Sequence, residues 1–271
     1  MSRLAFVLAL LLLPWPAQAD AVVLKGDFVQ GGLVIGNTTP SDQVFLDEKR
    51  VEVSANGWFV FGFGWDFKDT ASLKIRHKDG AEEAQTFKID KRVYKTEEVT
   101  GLPPSKVTPS KEFLARIRKE NGEIARIRGI STDKDWFLSG WDWPAEGRIS
   151  GVFGSQRVLN GVPKRPHFGL DIAAPVGTAV VASTDGTVRL VETDLFYTGG
   201  TIMIDHGHGL VSVYSHLSQL NVTVGQFVAQ GTKIGEIGMT GRATGPHLDW
   251  RLNWFDQRLD PELLLKKVPQ N

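Results

Sequence analysis

The chain of 271 residues contains no cysteine and only 3 methionines. Without thiols it can form neither a disulfide framework nor a cysteine-ligated metal site, so its stability depends on packing and on any metal held by nitrogen and oxygen atoms. Lys plus Arg and Asp plus Glu are equal at 31 each, which excludes the broad basic surface typical of a nucleic-acid-binding protein. We therefore expect no nucleic-acid partner.

A membrane-spanning apolar run is also missing, because the run at residues 4–13 is shorter than the roughly 20 residues that a bilayer span requires. Arg3 precedes this run, a proline-containing segment ends it, and the sequence AQA at 17–19 matches a small-x-small cleavage pattern. We predict a signal peptide at residues 1–19 with cleavage near Ala19. The mature protein is then periplasmic or secreted and has no stable membrane span, with an uncleaved amino-terminal anchor as the alternative.

Glycine is abundant, at 29 residues, and it favours a turn-rich β protein over a helical bundle. Short strand patterns separated by turn signals predict a small β-sandwich at residues 20–100. This module contains no evident catalytic grouping, so we expect a spacer, a recognition module or a lid. The predicted strands are 22–24, 32–35, 43–46 and 58–63.

A linker and a second β region follow the predicted sandwich. Residues 101–141 contain apolar side chains at helical spacing, with Thr108 as the predicted cap and Pro109 at the first helical position. Residues 142–271 return to strand patterns joined by glycine-containing hairpins, which predicts an antiparallel sheet. The expected fold class is mainly β, with an antiparallel domain preceded by a small β-sandwich and a helical linker.

The second β region contains an ordered set of histidines and aspartates. Because side chains alternate across a strand, residues two or four positions apart share a face. Gly169 leaves one of these faces uncrowded. The face-sharing pairs are His167 with Asp171, His247 with Asp249, and Tyr214 with His216.

If these strands are neighbours, the paired side chains converge on one groove. Catalytic zinc is normally held by three His, Asp or Glu ligands, and its bound water has a pKa of about 7. Nitrogen and oxygen donors without thiolate favour zinc, although manganese or cobalt fit the same donors. Taken singly, the histidines have ordinary explanations: His216 as a core residue, and His206 and His208 as exposed residues of a hairpin tip.

Six motifs in the second region carry a family resemblance. They are GVFGSQR at 151–157, NG at 160–161, PHFGLD at 166–171, HGHG at 206–209, YSHLS at 214–218 and TGRATGPHLD at 240–249. In order and spacing, this stretch resembles the lysostaphin-like (LytM-type, M23) zinc metallopeptidases. The resemblance covers less than half of the chain, and the amino-terminal region is only loosely similar to a β module that some exported members carry.

The resemblance implies a role for each of six residues. It implies zinc ligation by His167, Asp171 and Asp249, and catalysis by His216 and His247. One of the catalytic histidines is expected to help activate the metal-bound water, and the other to stabilise the oxyanion of the tetrahedral intermediate. Asn160 is implied as a polar neighbour of the substrate cleft.

Asp249 departs from the family pattern, which usually has a second histidine there in a His-x-His motif. An aspartate oxygen lies about as many bonds from the backbone as the nearer imidazole nitrogen, so the metal can be held without moving far. Two carboxylates and one imidazole cancel the formal charge of a zinc ion, however, which predicts a weaker Lewis acid than in a site with one carboxylate.

Three functions remain open from the sequence. The favoured one is an exported zinc endopeptidase that cuts stem-peptide or cross-link bonds of bacterial peptidoglycan, because four of the five family positions are intact. The second is a catalytically degenerate relative that binds and activates another cell-wall hydrolase. The third is a sugar-binding β protein that uses Trp250, Trp254 and Phe255 for stacking, although packing at a sheet edge is the simpler interpretation of these aromatics.

Overall fold

A computed structural model describes residues 22–265 of the chain. The predicted signal peptide at 1–19 lies outside the described residues. The predicted mainly β class with antiparallel sheets is confirmed. Between residues 22 and 265, no helix combines the length and the apolar character needed to cross a membrane.

Two antiparallel sheets make up most of the amino-terminal region. The first contains β1 (Val23–Gly26), β2 (Leu33–Asn37) and β5 (Trp58–Gly62), and the second contains β3 (Gln43–Leu46), β4 (Lys49–Val51), β6 (Thr70–Arg76) and β7 (Glu82–Lys88). The four predicted strands correspond to β1, β2, β3 and β5. Strands β4, β6 and β7 are additional.

Two helices follow, α1 (Pro104–Val107) and α2 (Lys111–Arg128). The predicted cap at Thr108 is wrong, because a separate short helix begins at Pro104 and Thr108 ends it by donating its N–H to the Pro104 carbonyl at 2.8 Å. Ser110 occupies the cap position of α2. The helix buries Ile117 and Ile127.

A ten-stranded sheet dominates the carboxy-terminal region, and its main path runs β17-β14-β15-β16-β19-β12-β9 with antiparallel neighbours. Strands β16, β19 and β12 lie side by side in the middle of this path. The strands from residue 148 onward are β9 (Arg148–Gly151), β10 (Gln156–Leu159), β11 (Val162–Pro163), β12 (Leu170–Ala173), β13 (Ala179–Val181), β14 (Gly186–Leu195), β15 (Gly199–Asp205), β16 (Leu210–Leu220), β17 (Phe227–Val228), β18 (Lys233–Ile237), β19 (His247–Trp254) and β20 (Gln257–Leu259).

The two faces of the large sheet are different. One face is apolar at its centre, where Leu170, Tyr214, Leu248 and Trp250 are fully buried in a common cluster. On the opposite face, α2 covers part of the sheet, because Ile127 packs with Val211 and Val213. The rest of that face carries the histidines and aspartates of interest.

The amino-terminal sheets and the large sheet share a hydrophobic core. Phe59 and Phe61 of β5 belong to the same buried cluster as Leu252, Trp254 and Leu259 of β19 and β20. In addition, β8 (Thr96–Val99) pairs in parallel with β10, and this is a contact between the predicted sandwich and the predicted peptidase region. The domain boundaries at 20–100, 101–141 and 142–271 stay a prediction.

Candidate metal centre

Strand register brings the two aspartates of the site together. Asp171 in β12 lies directly opposite Asp249 in β19, and Ser215 in β16 lies opposite Asp249 on its other side. Gly151 of β9 is the cross-strand partner of Asp171. A side chain at position 151 would collide with the site, because a Cβ there would lie 2.3 Å from Asp171 Oδ2.

His167 reaches the same place from the segment before β12. Its backbone is fixed by two hydrogen bonds, from His167 N to the Ser155 carbonyl at 2.8 Å and from Gly154 N to the His167 carbonyl at 2.7 Å. His167 Nε2 lies 3.0 Å from Asp171 Oδ1. One ligand atom from each of His167, Asp171 and Asp249 falls within 4.8 Å of the others, and all three residues are buried.

These donors suit a metal ion. His167 Nε2 and Asp171 Oδ1 are buried, and neither has a hydrogen-bond partner in the part of the chain that the structure describes. Buried polar atoms are nearly always satisfied, so two unsatisfied atoms 3.0 Å apart, each with a lone pair to offer a metal, indicate a shared partner. One imidazole and two carboxylates form a ligand set of the kind that holds catalytic zinc.

Each carboxylate of the site has an arginine partner. Arg157 Nη2 donates to Asp171 Oδ2 at 2.8 Å. Arg251 Nε donates to both oxygens of Asp249 at 3.0 Å, and its Nη2 donates to Oδ2. Burial acts to raise the pKa of both carboxyl groups, but Arg251 keeps the pKa of Asp249 well below its usual range, and the interactions with His167 and Arg157 lower the pKa of Asp171.

His216 reaches this face through an irregularity in β16. Tyr214 pairs with Ile202 and Leu217 pairs with Gly200, so β16 has two residues where β15 has one. The extra residue reverses the side on which His216 would otherwise lie, and His216 has a left-handed backbone with φ of 67°. The prediction that Tyr214 and His216 share a face is therefore wrong: Tyr214 lies in the apolar core, whereas His216 lies beside His247.

His216 and His247 form a close pair, with ring centroids 4.7 Å apart. The Nδ1 atom of His216 lies 2.8 Å from the Thr240 carbonyl, and that of His247 lies 2.8 Å from the Gly245 carbonyl. Because a carbonyl oxygen can only accept, each Nδ1 carries a proton, and Nε2 is the atom left for chemistry. Burial, followed by the charge of His247, lowers the pKa of His216 to about 4, so this ring is neutral at neutral pH.

Three other residues singled out in the sequence have their hydrogen-bond partners outside this cluster. Asn160 uses its side-chain amide to bond both backbone polar groups of Leu102, and its place in a substrate cleft stays a prediction. The expectation that His206 and His208 are exposed is wrong, since their side chains are 0% and 2% exposed. Neighbouring segments cover this hairpin: His206 contacts the Asp185 carbonyl at 2.6 Å and the Ser212 hydroxyl at 2.7 Å.

Two residues of the site were not found from the sequence, the carboxylate partners Arg157 and Arg251. A usable signal existed for Arg251, because it stands two residues after Asp249 in a strand and therefore on the same face. Arg157 had no such signal, since it reaches Asp171 from β10, a strand outside the main path of the large sheet.

Comparison with known proteins gives the family. Residues 165–261 match the model of peptidase family M23, and this span contains His167, Asp171, His216, His247 and Asp249. A solved structure from Pseudomonas aeruginosa, a candidate peptidase M23, is 30% identical with a TM-score of 0.68, and the match covers 87% of this chain and 94% of that one. The chain belongs to peptidase family M23. The resemblance predicted from the motifs is thereby confirmed.

Two curated relatives of this M23 chain are peptidoglycan enzymes by name. The peptidoglycan DD-endopeptidase ShyA of Vibrio cholerae is 45% identical over 107 residues, which are 39% of this chain and 24% of ShyA. The peptidoglycan DD-endopeptidase ShyC of the same organism is 31% identical over 198 residues, which are 69% of this chain and 42% of ShyC. The chain thus spans less than half the length of either relative.

Proposed function

We propose that this M23 chain is an exported zinc metallo-endopeptidase that hydrolyses peptide bonds in the stem peptides or cross-links of bacterial peptidoglycan. The observation that carries the proposal is the buried trio His167, Asp171 and Asp249, with ligand atoms within 4.8 Å of one another beside a histidine pair. The names of the relatives ShyA and ShyC support peptidoglycan as the substrate. A wall substrate agrees with the predicted signal peptide and with a periplasmic or secreted location.

The two histidines of the pair have different roles in this proposal: one transfers a proton and the other stabilises the oxyanion. Zinc held by the trio would polarise the scissile carbonyl and make water a better nucleophile at neutral pH. His216 is neutral, and its Nε2 lone pair is free to accept a proton from the attacking water. His247 stabilises the developing oxyanion in its doubly protonated form, because Nδ1–H donates to the Gly245 carbonyl and only a protonated Nε2 can donate to an oxyanion.

Metal analysis and wall digestion test the proposal together. Purified protein is expected to hold one zinc ion per chain and to release peptide fragments from purified peptidoglycan, which mass spectrometry identifies. His247→Ala should keep the metal and lose activity, whereas Asp171→Ala should lose both. His77→Ala, which removes an imidazole in the amino-terminal region, is the matched control. Protein that contains no transition metal and cannot be loaded with one would overturn the proposal.

A second candidate function is a degenerate M23 protein that binds and activates another cell-wall hydrolase. The observation that favours it is the hydrogen bonding of the Arg251 guanidinium to Asp249. A fixed cation can neutralise this carboxylate in place of a metal ion. The double change His216→Ala and His247→Ala separates the two functions in cells that lack the native gene. The adaptor retains its ability to complement, and the enzyme loses it.

A further inference from the structure

We propose that Asp249 and Arg251 act as one unit at the metal centre. In this unit, Arg251 offsets the charge of the Asp249 carboxylate and occupies Oδ2, so that Oδ1 is left as the metal ligand. Arg251 is therefore a positioning residue, and it acts through Asp249. The inference rests on the proposed zinc site and explains how an aspartate serves where the family usually has a histidine.

The hydrogen bonds divide the two oxygens of Asp249. Oδ2 accepts from both Nε and Nη2 of Arg251, whereas Oδ1 accepts from Nε alone. Each carboxylate oxygen has two lone pairs, so Oδ1 keeps one that Arg251 does not use. Among the residues from 22 to 265, every hydrogen bond of the Arg251 side chain goes to Asp249.

Gly169 makes room for this unit on the side of the other ligands. It stands midway between His167 and Asp171 in the sequence. A Cβ at position 169 would lie 2.3 Å from Asp249 Oδ1 and 2.7 Å from Arg251 Cγ. The less occupied oxygen of Asp249 thus faces the segment that carries the other two ligands, which is where a metal ligand must lie.

The charges of the site also support the pairing. Arg157, the partner of Asp171, shares its charge with Glu97, whose carboxylate lies 3.2 Å from Arg157 Nε. Asp171 therefore contributes one negative charge, whereas Asp249 with Arg251 contributes none. The net charge of the ligands and their partners therefore equals that of one carboxylate with two neutral imidazoles. Once Arg251 is included, we no longer expect the metal to be a weaker Lewis acid than in the usual family site.

A set of variants of the full chain tests the charge offset through zinc affinity, measured by competition with a chromophoric chelator. Asp249→His leaves the Arg251 cation without its partner beside the metal, so zinc affinity should fall about tenfold or more. A second change, Arg251→Gln in the Asp249→His protein, should recover most of the lost zinc affinity. Adding Arg251→Lys should not, because the positive charge remains. Arg148→Gln, which removes an exposed arginine of neighbouring β9, should leave the affinity unchanged.

Two measurements keep the test decisive. Urea unfolding of each variant identifies any that does not fold. In the native Asp249 background, Arg251→Gln should move the alkaline transition in the visible spectrum of cobalt-loaded protein to higher pH, because the loss of a nearby cation makes bound water less acidic.

The possible results separate this inference from the proposed function. Suppose that the wild type binds zinc, but Arg251→Gln and Arg251→Lys give the same zinc affinity when each is combined with Asp249→His. The charge offset is then wrong, and the proposed zinc enzyme is unaffected. If the cobalt transition does not move in Arg251→Gln, the inference is likewise overturned. If the wild type binds no metal, the proposed function fails, and the inference fails with it.

Discussion

Gly169 is a single residue on which the spacing of the metal ligands depends. It lies in the short segment between His167 and Asp171, and the carboxylate of Asp249 occupies the space that a side chain would need. An added Cβ would lie 2.3 Å from this buried carboxylate, and moving the carboxylate away would cost free energy because Arg251 holds it in place. The ligand geometry therefore depends on a missing methyl group as much as on the donors themselves.

We expect Gly169→Ala to reduce zinc content strongly while the protein still folds. The added Cβ must push Asp249 away from the other two ligands, and misplacing one of three ligands removes much of the affinity. Zinc per chain after dialysis against a weak chelator measures the effect. Gly245→Ala is the matched control, since a Cβ there meets nothing within 4 Å. Full zinc content in Gly169→Ala would contradict the role of this glycine.

His206 is a buried titratable residue outside the metal centre. Burial lowers its pKa to about 4, compared with about 6.5 in an unfolded chain. Between these values the unfolded state binds more protons than the folded state, so stability rises with pH and is lost as pH falls. The contribution of His206 is complete above about pH 6.5 and declines towards pH 4.

We predict that unfolding free energy falls between pH 6.5 and pH 4, with His206 contributing about 3 kcal/mol of the loss. Urea unfolding across this range measures the slope. His206→Gln is expected to be less stable at neutral pH but to show a smaller slope, because the titrating ring is gone. The same slope in both proteins would mean that His206 is not held in its neutral form.

At the scale of single elements, the bulge in β16 decides which way His216 points. Regular alternation would turn His216 away from the face that carries Asp249, and one extra residue in the strand reverses this. The bulge requires a positive φ of 67° at a residue that is not glycine. Such conformations cost free energy and are typical of functional sites.

The backbone strain at His216 can be measured with two substitutions that both remove the imidazole. His216→Gly should be more stable than His216→Ala by about 1 kcal/mol, because glycine adopts positive φ without the steric penalty of a Cβ. Urea unfolding of the two variants gives the difference. Ser215→Gly compared with Ser215→Ala serves as the control at the preceding position, where alanine should be the more stable residue. Equal stability of the two variants at 216 would show that the bulge stores no strain.

Strands with a strong alternation of buried and exposed residues are predictable from the sequence. Strands that form because they pair with a neighbouring strand are not. β6 alternates buried Ala71, Leu73 and Ile75 with more exposed residues, a signal that the sequence contains and that we did not identify. β7 is exposed along most of its length and has no such signal, because its strand form comes from pairing with β6. The bulge at His216 is also invisible in the sequence, since it depends on the register with β15.

At the scale of the whole molecule, one core joins regions that the sequence presents as separate. Gly62 of β5 lies so close to Leu259 of β20 that a Cβ would be 2.6 Å from Leu259 Cδ2. Arg92 bonds Asp260 at 2.6 Å across the same boundary. Composition and turn signals mark the ends of the regions, but they carry no information on whether the regions pack against each other.

Leu259→Ala should therefore destabilise both regions together, by about 3 kcal/mol. The lost side chain is fully buried among residues of both, so neither region keeps its full core. Hydrogen exchange of amides in β5 and β19 should show the same loss of protection in each. Val93→Ala is the control, because Val93 is 100% exposed. Loss of protection in β19 alone would show that the two regions unfold independently.

The parallel pairing of β8 with β10 makes the segment between them a closed loop, anchored at both ends by strand hydrogen bonds. Helices α1 and α2 lie within this loop, and α2 packs on the large sheet through Ile127. Extra residues inserted at the exposed turn of Gly101, before α1, would be absorbed at small entropic cost and would not move the amino-terminal sheets relative to the metal centre. The alignment of the two regions is thus set by the strands that close the loop and not by the length of the turn before α1.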